Sequence, residues 1–360
     1  MQRSDAQRAV AQACEICAIL APTFAEALRA ERVAAMFQAA GLTPRLDSIG
    51  NVIAEAGPVD QERTVFAAHL DTVFDASTPI EFRQGEGRLA APGIGDNSLG
   101  VAGLLHLARH LHGREPEHPV SLVATVGEEG LGDLRGAKAL LQEVPCRAFV
   151  AIEGQMLDCI TVAGVGSMRF QVAVRGPGGH PWSDRGTPSA THWLLEALAA
   201  VLAHARSVPD AMLNVGVLEG GTVINAIAAE ALAQLDLRCE DQATLSATAE
   251  RMLEILQRPV DGLEVTVQTV GQRPGGRIAA DHPLLEAARA ARRRAGLPAA
   301  EETASSTDAN VAHGRGIPAV TVGVSTGANA HRLDEYIDLE PVESGLRSLT
   351  ALLDELAGLG

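Results

Sequence analysis

Over residues 2–40 the apolar positions recur at helical spacing, and the stretch closes on Gly41-Leu42-Thr43-Pro44, a combination that stops helices. A leading helical region is predicted there. Short β-type runs follow at 51–54, 64–68, 121–126 and 148–152, separated by helical patterns over 99–111 and 134–142. The same style resumes late in the chain, with a strand over 319–324 and a closing helix over 341–356. Strand and helix alternate, as they do in α/β folds.

Between these two parts the rhythm changes. Strand 167–175, helix 189–207, strands 212–218 and 229–238, helix 245–257 and strand 263–270 follow in the order βαββαβ. This is the ferredoxin-like split pattern, and its length of about 110 residues suits an independent domain. Gly164 and Gly166 before it, and Gly271, Pro274, Gly275 and Gly276 after it, supply turns where the chain must leave and re-enter the main domain. The expected fold is therefore α/β. A domain with an open mixed sheet flanked by helices is built from 1–165 and 277–360, and a βαββαβ domain at 166–276 is inserted in it.

Composition narrows the classes of function. The 360 residues are 46% hydrophobic but only 3% aromatic, so the core is aliphatic and closely spaced. Against 29 Lys and Arg stand 45 Asp and Glu, a net charge of −16 that repels a phosphate backbone. Nucleic acid is not an expected partner, and such an excess of carboxylates reflects either solubility or, in part, a metal site whose cations neutralise some of them. The opening Met1-Gln2-Arg3-Ser4-Asp5 leads into an amphipathic stretch interrupted by Glu15, not into the apolar run of a secretion signal, and apolar stretches such as 193–202 are broken by charge at Glu196. A cytoplasmic protein without a membrane span is expected. The five cysteines are odd in number and scattered, which fits reduced thiols, and the Cys14/Cys17 pair reads as one helix face.

Five places carry chemistry. His69 and Asp71 follow the 64–68 run two residues apart, so Asp71 is placed to accept from one imidazole nitrogen while the other is kept for a metal. Asp96 lies in Gly93-Ile94-Gly95-Asp96-Asn97-Ser98-Leu99-Gly100, a turn that lacks the residues of a phosphate cradle. Glu128 and Glu129 end the 121–126 strand. Adjacent carboxylates there repel unless cations hold them, and their diverging side chains allow one to bind a metal while the other reaches a water. Glu153 follows the 148–152 strand, and His331 follows 319–324 and a loop. In an open α/β sheet the carboxyl ends of the strands share the ligand-binding edge. His69, Asp96, Glu129, Glu153 and His331 then form a nitrogen and oxygen set suited to zinc, manganese or cobalt. Five ligands exceed one tetrahedral zinc, so two metals sharing a carboxylate is the natural count.

These motifs, in the order AHLDTV, GIGDNSLG, GEEGLG, Glu153, GPGGHPWSDRGTPSA and AHRLDEYI, resemble those of the two-zinc aminoacylases and peptidases. That family includes carboxypeptidase G, succinyl-diaminopimelate desuccinylase, acetylornithine deacetylase and peptidase T, and the likeness runs from about His69 to the end. The resemblance implies a βαββαβ lid inserted in a two-metal catalytic domain. It further implies His69 and Glu153 on one metal, Glu129 and His331 on the other, Asp96 between them and Asp71 orienting His69. Glu128 is implied as general base, and His180 as an oxyanion donor that dimeric members supply from the partner's lid.

A glutamate at position 153 resembles deacylases and carboxypeptidases, whereas GPGGHPWSDRGTPSATH is closer to peptidase T, and both substrate classes stay open. The stretch 220–225 leading into 229–238 resembles the family segment whose Asn and terminal Arg face the cleft. Arg238, helped by Asn225, is therefore expected to hold a substrate carboxylate, with pairing to Asp236 or Glu240 as the alternative.

The expected function is metal-dependent hydrolysis of an amide bond in a small peptide or N-acyl amino acid with a free carboxylate. The expected partners are that substrate and a second copy, joined through the lid. A peptidase T-like di- or tripeptide aminopeptidase is the alternative within the class, and a non-catalytic metal- or ligand-binding descendant the alternative outside it.

Overall fold

The computed structural model describes residues 4–58 and 60–359, so Gln2 and Arg3, at the start of the predicted leading helix, lie outside the described residues. The chain forms two compact units, one of Met1–Gly164 with Arg277–Gly360 and one of Val165–Gly276.

The first unit is built on a large mixed sheet. Four of its strands, Val120–Thr125, Arg63–His69, Cys146–Glu153 and Ala319–Gly323, lie side by side in that order and are mutually parallel. Every residue of the first two is buried, as strands covered on both faces must be. Phe66, Ala68, Leu122, Ala124, Val150 and Ile152 point to one face, under the helices Asp5–Cys17, Ala27–Ala39, Leu99–Leu111, Pro283–Arg294 and Val342–Ala357. Val65, Ala67, Val123, Phe149 and Ala151 point to the other, under Arg135–Glu143 and Ala309–Gly314. Val52–Ala56 pairs antiparallel with Val120–Thr125, and Cys159–Gly164 pairs antiparallel with Ala319–Gly323, which makes the sheet mixed.

The predicted leading helical region is two helices. Asp5–Cys17 opens on a capping box between Ser4 and Gln7, and the chain between it and Ala27–Ala39 includes Pro22, which bridges to Thr72. A small second sheet was not anticipated. In it Arg83–Gly85, Arg88–Ala90, Tyr336–Asp338 and Gly327–Ala328 join chain segments far apart in sequence.

In the second unit four antiparallel strands run in the order Met212–Gly220, Glu230–Cys239, Gly166–Arg175, Glu264–Arg273. The helices Ala190–Ser207 and Gln242–Leu256 bury Phe170, Val172, Val174, Ala233, Leu235 and Leu237 on one face. The opposite face carries the alternate residues of the central strands, among them Arg169, Gln171, Gln234, Asp236 and Arg238. Among the described residues no helix is long and apolar enough to cross a membrane.

Candidate active site

Because the four central strands are parallel, their carboxyl ends meet at one edge of the sheet, and three of the five predicted ligand positions, His69, Glu129 and Glu153, sit just there. His69 ends its strand beside Thr125 in register, Glu153 ends the next and pairs with Gly323, and Glu128 and Glu129 come three and four residues after Thr125. Asp96 arrives from the turn that leads into helix Leu99–Leu111, and His331 from the loop after Gly323.

The side chains converge. His69 Nε2 lies 3.0 Å from Asp96 Oδ1 and 3.7 Å from Glu153 Oε2. His331 Nε2 lies 3.0 Å from Asp96 Oδ2 and 3.2 Å from Glu129 Oε1. The two oxygens of Asp96 thus serve two different imidazoles, each of which has a further carboxylate. Within each of the sets His69/Asp96/Glu153 and Asp96/Glu129/His331, donor atoms lie within 4.8 Å of one another. Two ligands each roughly 2.0–2.2 Å from a zinc ion stand at most about 4.4 Å apart, so little adjustment would bring each set onto one cation. His69, Glu128 and Glu129 also form such a group.

The electrostatics fit the same conclusion. Burial pushes the Glu153 carboxyl up to about 7, with the Asp96 and Asp308 charges adding to it against the pull of His69. Glu335 is pushed up to about 7 by burial and by Asp96. The imidazole of His69 is driven down by burial but held well above its ordinary value by Asp71, Asp96 and Glu153, and His331 rises to about 10 on Asp96 and Glu129. Asp96, although buried, is held below the usual carboxylate range by His331 and His69. More negative charge is gathered than two imidazoles neutralise. This donor set fits divalent cations, which would take the place of the protons now shared between imidazole and carboxylate.

Surrounding groups hold these side chains in place. His69 Nδ1 is 3.0 Å from the backbone carbonyl of Asp71; a carbonyl only accepts, so Nδ1 donates there, and Nε2, which shares its hydrogen with Asp96, is the nitrogen left to a cation once that hydrogen is given up. The expected bond from His69 to the Asp71 carboxylate is corrected here, since Asp71 Oδ1 stands 3.7 Å away. That carboxylate, fully buried, instead accepts the backbone N–H of Glu128 and of Glu129 at 2.9 Å each, and the Thr23 hydroxyl at 2.9 Å. Asp71 therefore fixes the Glu128-Glu129 turn with its side chain and the His69 ring with its backbone. Asn97 plays a similar part for Glu153. It donates to the Ile152 carbonyl at 2.8 Å and accepts from Gly154 N at 2.9 Å, tying the Asp96 turn to the end of the neighbouring strand. Glycine is needed at 154, because a Cβ there would stand 2.3 Å from the Gly95 carbonyl oxygen.

The remaining predicted residues lie in the second unit. His180 is exposed, and its Nδ1 accepts from Trp182 N at 3.3 Å and Ser183 N at 3.2 Å. With Nδ1 accepting, the ring's N–H donor is Nε2. Arg238 and Asn225 are not brought together. Asn225 is exposed in the loop before strand Glu230–Cys239, and Arg238 stands near that strand's far end. At roughly 3.3 Å per residue that separation is about 25 Å, so the two side chains of one chain do not grip one carboxylate. Arg238 also pairs with Asp236, Nε at 3.0 Å and Nη2 at 2.9 Å.

Residues read as incidental are mostly accounted for by packing. His106 and His110, at i and i+4 in the 99–111 pattern but with no Glu after His106 to make a zinc motif, read from the sequence as an exposed helix face, and the structure differs. They meet helix Val342–Ala357, His106 Nε2 at 2.9 Å from Thr350 Oγ1 and His110 Nε2 at 2.7 Å from Asp354 Oδ1. Cys17 is buried against the Pro92 carbonyl, with burial pushing its thiol up to about 12, as befits an inert thiol. The segment Ser305-Ser306-Thr307-Asp308, with no Gly-x-Ser-x-Gly elbow around its serines, reads from the sequence as a substrate-side loop, yet Thr307 and Asp308 are buried, bonded to Thr321 and Thr125. Glu335, which the sequence did not mark as functional, is fully buried beside the Asp96 turn.

Residues 65–355 match the model of the family described as Peptidase family M20/M25/M40. A "Probable carboxypeptidase" of Aspergillus clavatus is 31% identical over 200 residues, covering 48% of this chain and 44% of that one, so the match spans less than half of that relative. Acetylornithine deacetylase of Myxococcus xanthus is 28% identical over 334 residues, covering 85% and 86%. Among solved structures, a tripeptidase of Staphylococcus aureus superposes with a TM-score of 0.82 at 20% identity, covering 98% and 99%. That likeness is one of fold.

Proposed function

Since the chain belongs to peptidase family M20/M25/M40, we propose that it is a metal-dependent hydrolase cleaving the amide bond of a small peptide or N-acyl amino acid that carries a free carboxylate. The observation that carries this reading is Asp96, whose two oxygens each face a different imidazole already flanked by a further carboxylate. In it, His69 and Glu153 hold one divalent cation, Glu129 and His331 a second, and Asp96 lies between them. Zinc is the leading choice, with cobalt and manganese accepted by the same donors. Bound there, the cations would acidify a water and polarise the scissile carbonyl.

The chain's own groups do the rest. Glu128 takes the proton of the attacking water and returns it to the leaving amine. Asp71 holds Glu128 for that task through the backbone N–H it accepts. His180, with its proton on Nε2, donates to the oxyanion. We place it in trans, from the lid of a second copy, in a homodimer formed through the 166–276 domain. Mixing Glu128→Ala with His180→Ala protein under subunit exchange should restore part of the activity that each variant lacks. No recovery despite formed heterodimers contradicts the trans arrangement. Five unpaired cysteines support a reducing compartment, the cytoplasm.

The free carboxylate is assigned to Arg238, half-exposed with Asp236 bound along one edge of its guanidinium, and Asn225 has no part in that contact. A charge-assisted contact of about 1.5–3 kcal/mol predicts that Arg238→Ala lowers kcat/KM by about 10–150-fold on a free-acid substrate and little on its C-terminal amide. Equal losses on both would make Arg238 structural. The function itself is tested with N-acyl amino acids, dipeptides and tripeptides in the presence of Zn, Co or Mn. Metal-dependent release of the amine from free-acid substrates supports it. Turnover confined to tripeptides with a free N-terminus would favour the peptidase T-like alternative, and binding without turnover the non-catalytic one.

A further inference from the structure

The carboxylate of Glu335 belongs to none of the roles above, yet it is fully buried and, apart from a 3.5 Å contact from Gln155 Nε2 to its Oε1, is spent on one short segment. Its Oε1 accepts the backbone N–H of Gly95 and of Asp96 at 2.7 Å each, and its Oε2 accepts that of Gly93 at 2.9 Å. The segment so gripped is the turn that carries Asp96. It is a turn in need of an external hold. Gly93 is left-handed, with φ 77°, and Asp96 and Asn97 depart from helical geometry, so the turn cannot satisfy these N–H groups by continuing as a helix.

Glu335 is itself anchored. Its carbonyl accepts from Ala91 N at 3.0 Å, its own N–H donates to the Arg332 carbonyl at 3.1 Å, and the next residue, Tyr336, pairs with Ala90 in the small sheet. The same segment begins, four residues earlier, with His331. One carboxylate thus joins the two pieces of chain that bring Asp96 and His331 to 3.0 Å from each other.

We propose that Glu335 is a positioning residue that fixes Asp96 between the two cation sites, so that affinity for both cations depends on a side chain that touches neither. The inference rests on the reading of Asp96 as the group between the cations. Three backbone N–H donors, with the Gln155 amide as a fourth, longer one, converge on an acceptor with two oxygens, and this is a fit that only a carboxylate satisfies fully. In Glu335→Gln the amide nitrogen has nothing to donate to, since the groups facing it are themselves donors. In Glu335→Asp the charge stays but the reach is shorter by one methylene.

The test is titration of the metal-free protein with Zn and with Mn, followed by calorimetry, on wild type, Glu335→Gln and Glu335→Asp. Leu353→Ala, a buried change in the closing helix, serves as a control that lowers the melting temperature without touching the turn. The expected result is affinity lowered by about 10–100-fold at both sites in whichever Glu335 variant folds, the scale for loss of a partner that orients a ligand, with wild-type affinity in Leu353→Ala. Wild-type affinity at both sites in a folded Glu335 variant would overturn the inference and leave the reading of the site standing. A wild-type protein that takes up no divalent cation would overturn that reading, and the inference with it.

Discussion

Glu128→Ala is expected to lower kcat by about 10²–10⁴-fold while the protein keeps its full complement of metal, which is the usual scale for loss of a general acid–base. The prediction turns on separating Glu128 from its neighbour. Glu129 reaches the His331 imidazole, at 3.2 Å, and so belongs with Asp96 and His331. Both backbone N–H groups of the pair are held on the Asp71 carboxylate, so truncating the Glu128 side chain leaves the turn in place. Yet Glu128 also stands within 4.8 Å of His69 and Glu129, which makes a ligand role the rival. Metal analysis of the variant decides between them. A folded Glu128→Ala protein that has lost a cation would make Glu128 a ligand and leave the base to be found elsewhere.

Asp96→Ala should do more damage than any other single change. It removes the group that both imidazoles share, and it leaves Glu129 and Glu153 facing histidines without the carboxylate that gathers them. Both cation sites should therefore weaken together, each by more than the roughly 10–100-fold that loss of a supporting partner costs, and hydrolysis should fall to background. Excess metal should not restore the wild-type rate, because two cations no longer have a common ligand to set their spacing. If Asp96→Ala weakened one site and spared the other, Asp96 would serve a single cation. The measurement is metal content after dialysis against a graded series of free metal concentrations, read beside activity in the same samples.

How much of this was legible beforehand follows from the kind of signal each part leaves. The four central strands carry continuous apolar runs, because a parallel sheet covered on both faces needs them, and their carboxyl ends then place His69, Glu128, Glu129 and Glu153 without further information. Helix Leu99–Leu111 was bounded correctly by its apolar run. The small sheet was not visible, since strands of two or three residues such as Gly327–Ala328 have no periodicity to read. With it went the meaning of Glu335, whose three bonds exist only once Arg88–Ala90 and Tyr336–Asp338 are paired. The role of Asp71 was half legible. Its two-residue spacing from His69 pointed to a link, but which atom makes it depends on the turn after Thr125, more than fifty positions along the chain. His106 and His110 misled for a related reason. A helix buried nearly all round presents polar residues to a neighbouring helix, and nothing local distinguishes that from solvent. Arg238 and Asn225 were linked through a stretch of motif, and a strand ten residues long separates them in space.

Calorimetric titration of the metal-free wild-type protein with zinc tests the central claim most directly. The account predicts saturation at two cations per chain, with protons released as the imidazoles of His69 and His331 give up the hydrogens they share with Asp96. Saturation at one cation per chain, or no uptake at all, would contradict it.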